Sequence, residues 1–370
     1  MVSNGRHYSG SYAPEDVSFL LRRLHVSPTA LPEREAAIQL QGKHYSEMIG
    51  PEDHPSRERL AVFRSCLEQN GTRFAADLVK LADLLIASAT EDKIALVSLA
   101  RAGTPVGILL RRAILRRTGW KESSVAHYSI SVIRDRGVDL VALEHILESW
   151  PRACVRFIDG WTGKGTIAKE LHRTIAVNMP VTERLDLGLW VPLDISGVAG
   201  QSANHEDYLI PSVILGGTIS GLVSRSILPR SDVGQRLFHG CVALDHLRRY
   251  DISRWFIENM MEKVSKLQGS VSFDGTSPSL PSLPTDSEHA LSDLAREFGV
   301  SDLNRLKVGL GETVRVLLRR MPHRVLLRDT QSADGRLVER LARMRKVEVE
   351  VRPQMFFQAV AIIADLRTER

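Results

Sequence analysis

Cysteine is scarce in this chain: Cys66, Cys154 and Cys241 are the only three, odd in number and far apart. That excludes a disulfide-stapled scaffold and points to a reducing cytoplasm. No stretch approaches the roughly 18 to 20 unbroken apolar residues of a membrane span, so no membrane partner is expected. Met1 to Tyr12 is polar and lacks the apolar core of a secretory signal. Charge of one sign is also lacking. A formal net charge of +5 over 370 residues allows phosphate-bearing partners without demanding them. What is present, 43% hydrophobic and 25% charged residues, is the composition of an ordinary globular protein, and the length calls for two domains.

Composition shifts at residues 267–287, where GSVSFDGTSPSLPSLPTDS gathers serine, proline and glycine with little to bury; this reads as a linker. Before it, residues 1–266 alternate helical patterns with short apolar runs, of which Ile94 to Leu99 and Val155 to Ile158 are the clearest. Strand, loop and helix in repetition predict a parallel α/β sheet with its functional loops at the C-terminal ends of the strands. After it, residues 288–370 predict helices at Glu288–Glu297, Glu312–Arg319 and Asp334–Arg343 and strands at Arg324–Leu327 and Val347–Val351. That is a small αβ domain.

The segment CVRFIDGWTGKGTIAKEL carries the strongest chemical signal. Val155, Phe157 and Ile158 make a buried strand, Asp159 ends it, and Gly160, Gly163 and Gly165 permit a turn that other residues could not follow. A helix opens at Thr166. Successive amides topped by a helix N-terminus make an anion cradle, to which Thr162 and Thr166 add hydroxyls. A Walker A loop fails on spacing, because Lys164 is followed by Gly165; the dinucleotide fingerprint fails too.

KIALVSLARAGTPVGILLRR repeats the architecture upstream: a strand, the short loop Ala100 to Thr104, and a helix opened by Pro105. Two such loops on parallel strands account for both ends of one anionic ligand. Between them, Arg134 and Arg136 lie in an Arg-Asp-Arg-Gly turn suited to a mobile loop, while His44, Glu47 and Asp207 are candidates for an acceptor pocket. A thiol nucleophile needs a histidine, and the local candidate is Cys241, two residues after His239 and near His246. Cys66 and Cys154 read as small buried apolar residues.

The turn at Asp159 resembles the phosphoribosyl-pyrophosphate motif of type I phosphoribosyltransferases, and SLARAGTP resembles their pyrophosphate loop. The resemblance implies a parallel-sheet type I phosphoribosyltransferase fold, Mg2+ as cofactor and pentosyl transfer from phosphoribosyl pyrophosphate, commonly by a homodimer. It casts Arg101 and Asp159 as catalytic, with Ala102, Gly103, Thr104, Gly160, Trp161, Thr162, Gly163, Lys164, Gly165 and Thr166 as phosphate-binding. The family has two adjacent acids where this chain has Asp159 and then Gly160.

With SGSY, HYSEM, DYLIPS, GTISGLVSR and DISRWFI added, the region from Ser9 to about Ile257 resembles a phosphoribosyltransferase-like family of tellurium-resistance and stress gene clusters, also catalogued as StiP cysteine proteases. That second name implies an alternative activity, proteolysis, and a ligand-sensing stress protein without turnover is a further alternative. Residues 288–363 resemble the pelota-type RNA-binding fold, which implies RNA contacts from Lys307, Arg336, Arg340 and Arg343. The last three fall on one helical face, and Arg315, Arg319 and Arg320 join Lys307 in a second basic cluster.

Overall fold

The computed structural model describes residues 8–89, 92–178, 185–267, 280 and 282–367. Most of the expected linker lies outside them, and its last residues open a helix. Helix α7 begins at Leu283, with Pro284 in the first turn, where the ring's missing N–H costs nothing.

Six parallel strands form the central sheet: β1 (Ser18–Phe19), β2 (Ile94–Leu99), β3 (Val125–Ile130), β4 (Cys154–Ile158), β5 (Leu185–Leu193) and β6 (Gln201–Asn204), in the order β1-β3-β2-β4-β5-β6. Strand β2 lies at the centre and is buried along its whole length. Its side chains alternate between two cores. Ile94 and Leu96 face a cluster that includes helices α2 (Arg57–Ala87), α3 (Gly103–Thr118) and α6 (Ser253–Leu267). Ala95, Val97 and Leu99 face the opposite cluster with α4 (Leu140–Ser149) and α5 (Thr166–Asn178). Among the described residues no helix is long and apolar enough to cross a membrane.

The C-terminal domain is a four-stranded sheet of β7 (Leu306–Val308), β8 (Pro322–Leu327), β9 (Glu348–Val351) and β10 (Ala359–Ile363), ordered β7-β10-β8-β9, with helices α8 (Leu310–Arg319) and α9 (Ala333–Met344). The two strands that patterning did not reveal, β7 and β10, pair antiparallel with each other. Strand β10 is AVAII, buried on both faces, so it lacks the polar alternation of a half-exposed strand.

The two domains share one contiguous buried cluster, in which Val314 and Leu317 of α8 join Leu209 and Ile214 of the first domain. Polar contacts reinforce the seam. Arg320 makes a bidentate pair with Glu35 of α1 (Leu31–Gln41), at 2.5 and 2.9 Å, and the Glu35 side chain is fully buried. Lys164 donates to the carbonyl of Leu303.

Candidate functional site

Strands β2 and β4 pair in register from Ile94↔Cys154 to Ser98↔Ile158, so the loops leaving their C-terminal ends emerge side by side. The expected juxtaposition is present, and it is tight. A Cβ on Gly103 would sit 2.4 Å from the carbonyl oxygen of Ile158 and 3.0 Å from Cα of Asp159. Only glycine fits there. The Ala100–Arg101 peptide that leads into this contact is cis.

Above the two loops lies a cavity of about 160 Å³. Its walls include Tyr45, Arg101, Asp159, Trp161 and Arg225 from the first domain and Arg315 and Arg319 from α8. Arg101 is buried; its Nη1 donates to the Val223 carbonyl at 2.7 Å, and its Nη2 lies 2.5 Å from Glu52 Oε1. Burial pushes the Glu52 carboxyl up, but Arg101 and Arg319 overcome this and hold it down to about 2. Asp159 accepts the Gly160 amide at 2.7 Å, and burial pushes its carboxyl up to about 7.

Several expected anion ligands are engaged elsewhere. Thr162 Oγ1 donates to the carboxylate of Asp194, and Thr104 Oγ1 shares a 2.8 Å hydrogen bond with Ser129 Oγ. Gly163 is only partly exposed, because Val308 and the Glu312 side chain pack against it. Among the described residues the amides of Gly163, Lys164, Gly165 and Thr166 have no acceptor, which leaves a residual cradle where α5 begins. Trp161 rests on Gly311 and lies under Arg315, 5.7 Å from guanidinium carbon to ring centroid. Ala102 packs against Gly160.

His44, Glu47, Arg134 and Arg136 lie close together. Arg136 Nη2 is 2.5 Å from Glu47 Oε1, and His44 Nε2 is 3.1 Å from the Arg134 carbonyl. Tyr45, a wall of the cavity, accepts the Arg134 amide at 2.8 Å. Asp207 does not join them. It accepts the Leu310 amide at the N-terminus of α8, and it lines a separate cavity of about 530 Å³ beside His205 and Asp334. A carboxyl cap there satisfies orphan helix amides, which is reason enough for its position.

Arg336, Arg340 and Arg343 lie exposed on α9, as their spacing implies. Arg315 and Arg319 turn inward instead, to the cavity. No local signal in the sequence pairs them with Glu52 or Arg225, which are remote in the chain and were not singled out as site residues.

The three thiols are all buried. Cys66 lies within α2 and donates to the Leu209 carbonyl; burial lifts its pKa well above the usual range. Cys154 begins β4. Cys241 lies in a two-residue strand paired with Arg22–Arg23, and burial pushes its thiol up to about 12 against the pull of Arg23. His239 Nδ1 is 2.8 Å from Ser131 Oγ, while its amide donates to Asp139 at 2.6 Å. His246 Nε2 is 2.9 Å from the Glu52 carbonyl. Among the described residues neither ring hydrogen-bonds a thiol. Among the described residues no group of three or more His, Cys, Asp or Glu side chains is arranged to hold a metal ion.

Comparison with known proteins gives a hydrolase's name. Residues 10–261 match the family model described as tellurite-like stress resistance cysteine protease StiP, and residues 285–365 match the pelota RNA binding domain. The cysteine protease StiP of Acinetobacter baylyi is 39% identical over 356 residues, covering 93% of this chain and 90% of that one. These findings overturn the expectation of a glycosyltransferase, which rested on the two loops. Through residues 10–261, the chain belongs to the StiP family of stress-resistance cysteine proteases.

Proposed function

We propose that this chain is a cysteine-dependent peptidase acting in stress resistance, with Cys241 as its nucleophile. The observation that carries the reading is the match over nearly all of both chains to a relative named as a cysteine protease. Cys241 is chosen among the three thiols because of its surroundings. His239 stands two residues before it, Arg23 lies opposite it in the strand pair, and Asp139 and Ser131 hold the His239 segment. Cys66, by contrast, is spent on a carbonyl inside a helix, and Cys154 is at the head of the central strand β4.

Chemically, attack on a peptide carbonyl requires the thiolate, so a buried thiol near 12 must be exposed or gain a cation before it reacts. Arg23, half-exposed beside it, is the cation in place. The reading therefore includes an opening step at the strand pair that brings Cys241 into contact with solvent and His239. The C-terminal domain, as a pelota-type module, would bring RNA to the same chain.

The test compares Cys241→Ser, Cys66→Ser and Cys154→Ser on a mixed fluorogenic peptide library. Cleavage should fall more than a hundredfold in Cys241→Ser alone, with the fold intact by circular dichroism. Full cleavage by Cys241→Ser would remove this assignment.

A further inference from the structure

The cavity between the domains holds more positive charge than its own carboxylates neutralise. Arg101 is paired with Glu52 at 2.5 Å, and Arg315 with Glu312 at 2.6 Å. Arg225 and Arg319 have no carboxylate partner among the described residues. Arg225 donates only to backbone carbonyls, those of Tyr45, Met48 and Ser226. The Arg319 guanidinium has no hydrogen bond or ion pair among them, although it reaches the same corner as Arg101. A Cβ on Gly216 would lie 2.6 Å from Arg319 Nη2, 3.2 Å from Glu52 Oε2 and 3.4 Å from Arg101 Nη2, so one carboxylate shares the corner with both guanidinium groups. Burial lowers the pKa of Arg319 well below its usual value, and the nearby Arg101 adds to the effect more than Glu52 offsets it. Two guanidinium charges in such a place are costly unless an anion joins them.

The size and shape of the cavity narrow the anion. About 160 Å³ is well below the roughly 300 Å³ at which pockets for drug-sized ligands begin, so the cavity takes an end group and not a peptide or a whole base. A phosphate monoester carries between about −1.5 and −2 at neutral pH and presents three acceptor oxygens. That matches two unpaired guanidinium forks, each of which recognises phosphate through paired N–H donors. Asp159, in the wall, has a carboxyl near neutrality that donates to such an oxygen when protonated.

We propose that this cavity is a binding site for a phosphate monoester, built jointly by Arg101 and Arg225 of the first domain and Arg315 and Arg319 of the C-terminal domain. Occupancy then links the two domains through one ligand. The monoester has two sources of the same chemistry: the phosphorylated end of an RNA delivered by the C-terminal domain, or a free mononucleotide. Lys307 lies on the same seam; burial lowers its amine to about 7, and it is positioned near Lys164 and Glu312.

The experiment is calorimetric titration of the full-length chain at low salt with inorganic phosphate, adenosine monophosphate, and a short RNA carrying either a 5'-phosphate or a 5'-hydroxyl. Saturable binding of phosphate and the mononucleotide is expected, weakened at least tenfold by Arg319→Met and by Arg315→Gln. Arg315 is half-exposed, so the second variant is the milder change, and circular dichroism checks that both variants keep their fold. Arg319→Lys should recover part of the loss, and Arg343→Gln, on the outer face of α9, should change nothing. Cys241→Ser should also bind normally, which keeps this site separate from the peptidase reading. If the 5'-phosphorylated RNA binds at least tenfold tighter than its hydroxyl-ended twin and competes with phosphate, the RNA end is the source. If only the mononucleotide competes, the source is a small metabolite. No saturable binding of any of these, or binding that Arg315→Gln and Arg319→Met both leave unmoved, overturns the proposal.

Discussion

Arg315 of the C-terminal domain lies over the indole of Trp161, with its guanidinium carbon 5.7 Å from the ring centroid, while the same indole rests on Gly311. The glycine-rich turn of one domain is thus the seat on which the other domain's helix α8 sits. Removing the indole by Trp161→Ala should cost about 2 kcal/mol, from lost cation–π attraction and apolar contact. The loss should appear as a lower thermal midpoint and as faster amide exchange in the first turns of α8. Unchanged exchange there would mean that the seat carries no weight.

Gly103 touches the turn from the other side. Gly103→Ala would drive a methyl into the Ile158 carbonyl at 2.4 Å, a backbone contact that cannot swing aside. A destabilisation of roughly 1 to 3 kcal/mol is expected, measurable by urea denaturation. Gly119→Ala provides the contrast, because no atom lies within 4 Å of a Cβ there and the only cost is its left-handed φ of 69°.

The acid under α8 makes stability depend on pH. Burial pushes Asp207 up to about 7, and Asp334 beside it also raises it, while Arg328 and the amides of Leu310 and Gln358 pull it down. The folded chain therefore holds this proton more tightly than the unfolded chain, whose aspartates titrate near about 3.9. The contribution is complete below about pH 4 and is lost as pH rises towards 7. Asp207→Asn keeps an oxygen for the helix amides but cannot ionise. Its urea midpoint should fall less between pH 4 and 7 than that of the parent chain, and parallel curves would refute the assignment.

Asp139 performs two tasks. It caps α4 through the Ala142 amide at 3.0 Å and holds the His239 amide at 2.6 Å. Asp139→Ala should cost roughly 2 kcal/mol, the upper end for a lost N-cap. Peptide cleavage should drop further than the fraction unfolded explains, because the histidine ahead of Cys241 loses its anchor. Activity that tracks the folded fraction would show the cap to be structural only.

How much of this was legible in the sequence differs between neighbouring residues. The two loops at Arg101 and Asp159 were, because an apolar strand ending in glycines states its own geometry, and the register of β2 with β4 brought them together. The helices of the C-terminal domain were also visible, since α8 and α9 each carry a clear apolar stripe. Strand β10 was not, because burial on both faces removes the alternation that marks an edge. The cavity was half visible. Its floor is local in sequence, but Glu52, Arg225 and α8 arrive from distant segments, and only folding reveals that Arg315 and Arg319 point inward while Arg336, Arg340 and Arg343 do not. Nothing near Thr162 or Thr104 in the chain announces Asp194 or Ser129, which engage their hydroxyls.

The pair formed by Arg320 and the wholly buried Glu35 has a bearing on ancestry. Changing Arg320 alone would leave the Glu35 carboxylate away from water, with Arg34 at 3.7 Å its remaining ion-pair partner among the described residues. Drift at one position is therefore tied to drift at the other, although the two lie 285 apart in the chain. Shuffling in a foreign C-terminal module would fail unless α1 were inherited along with it.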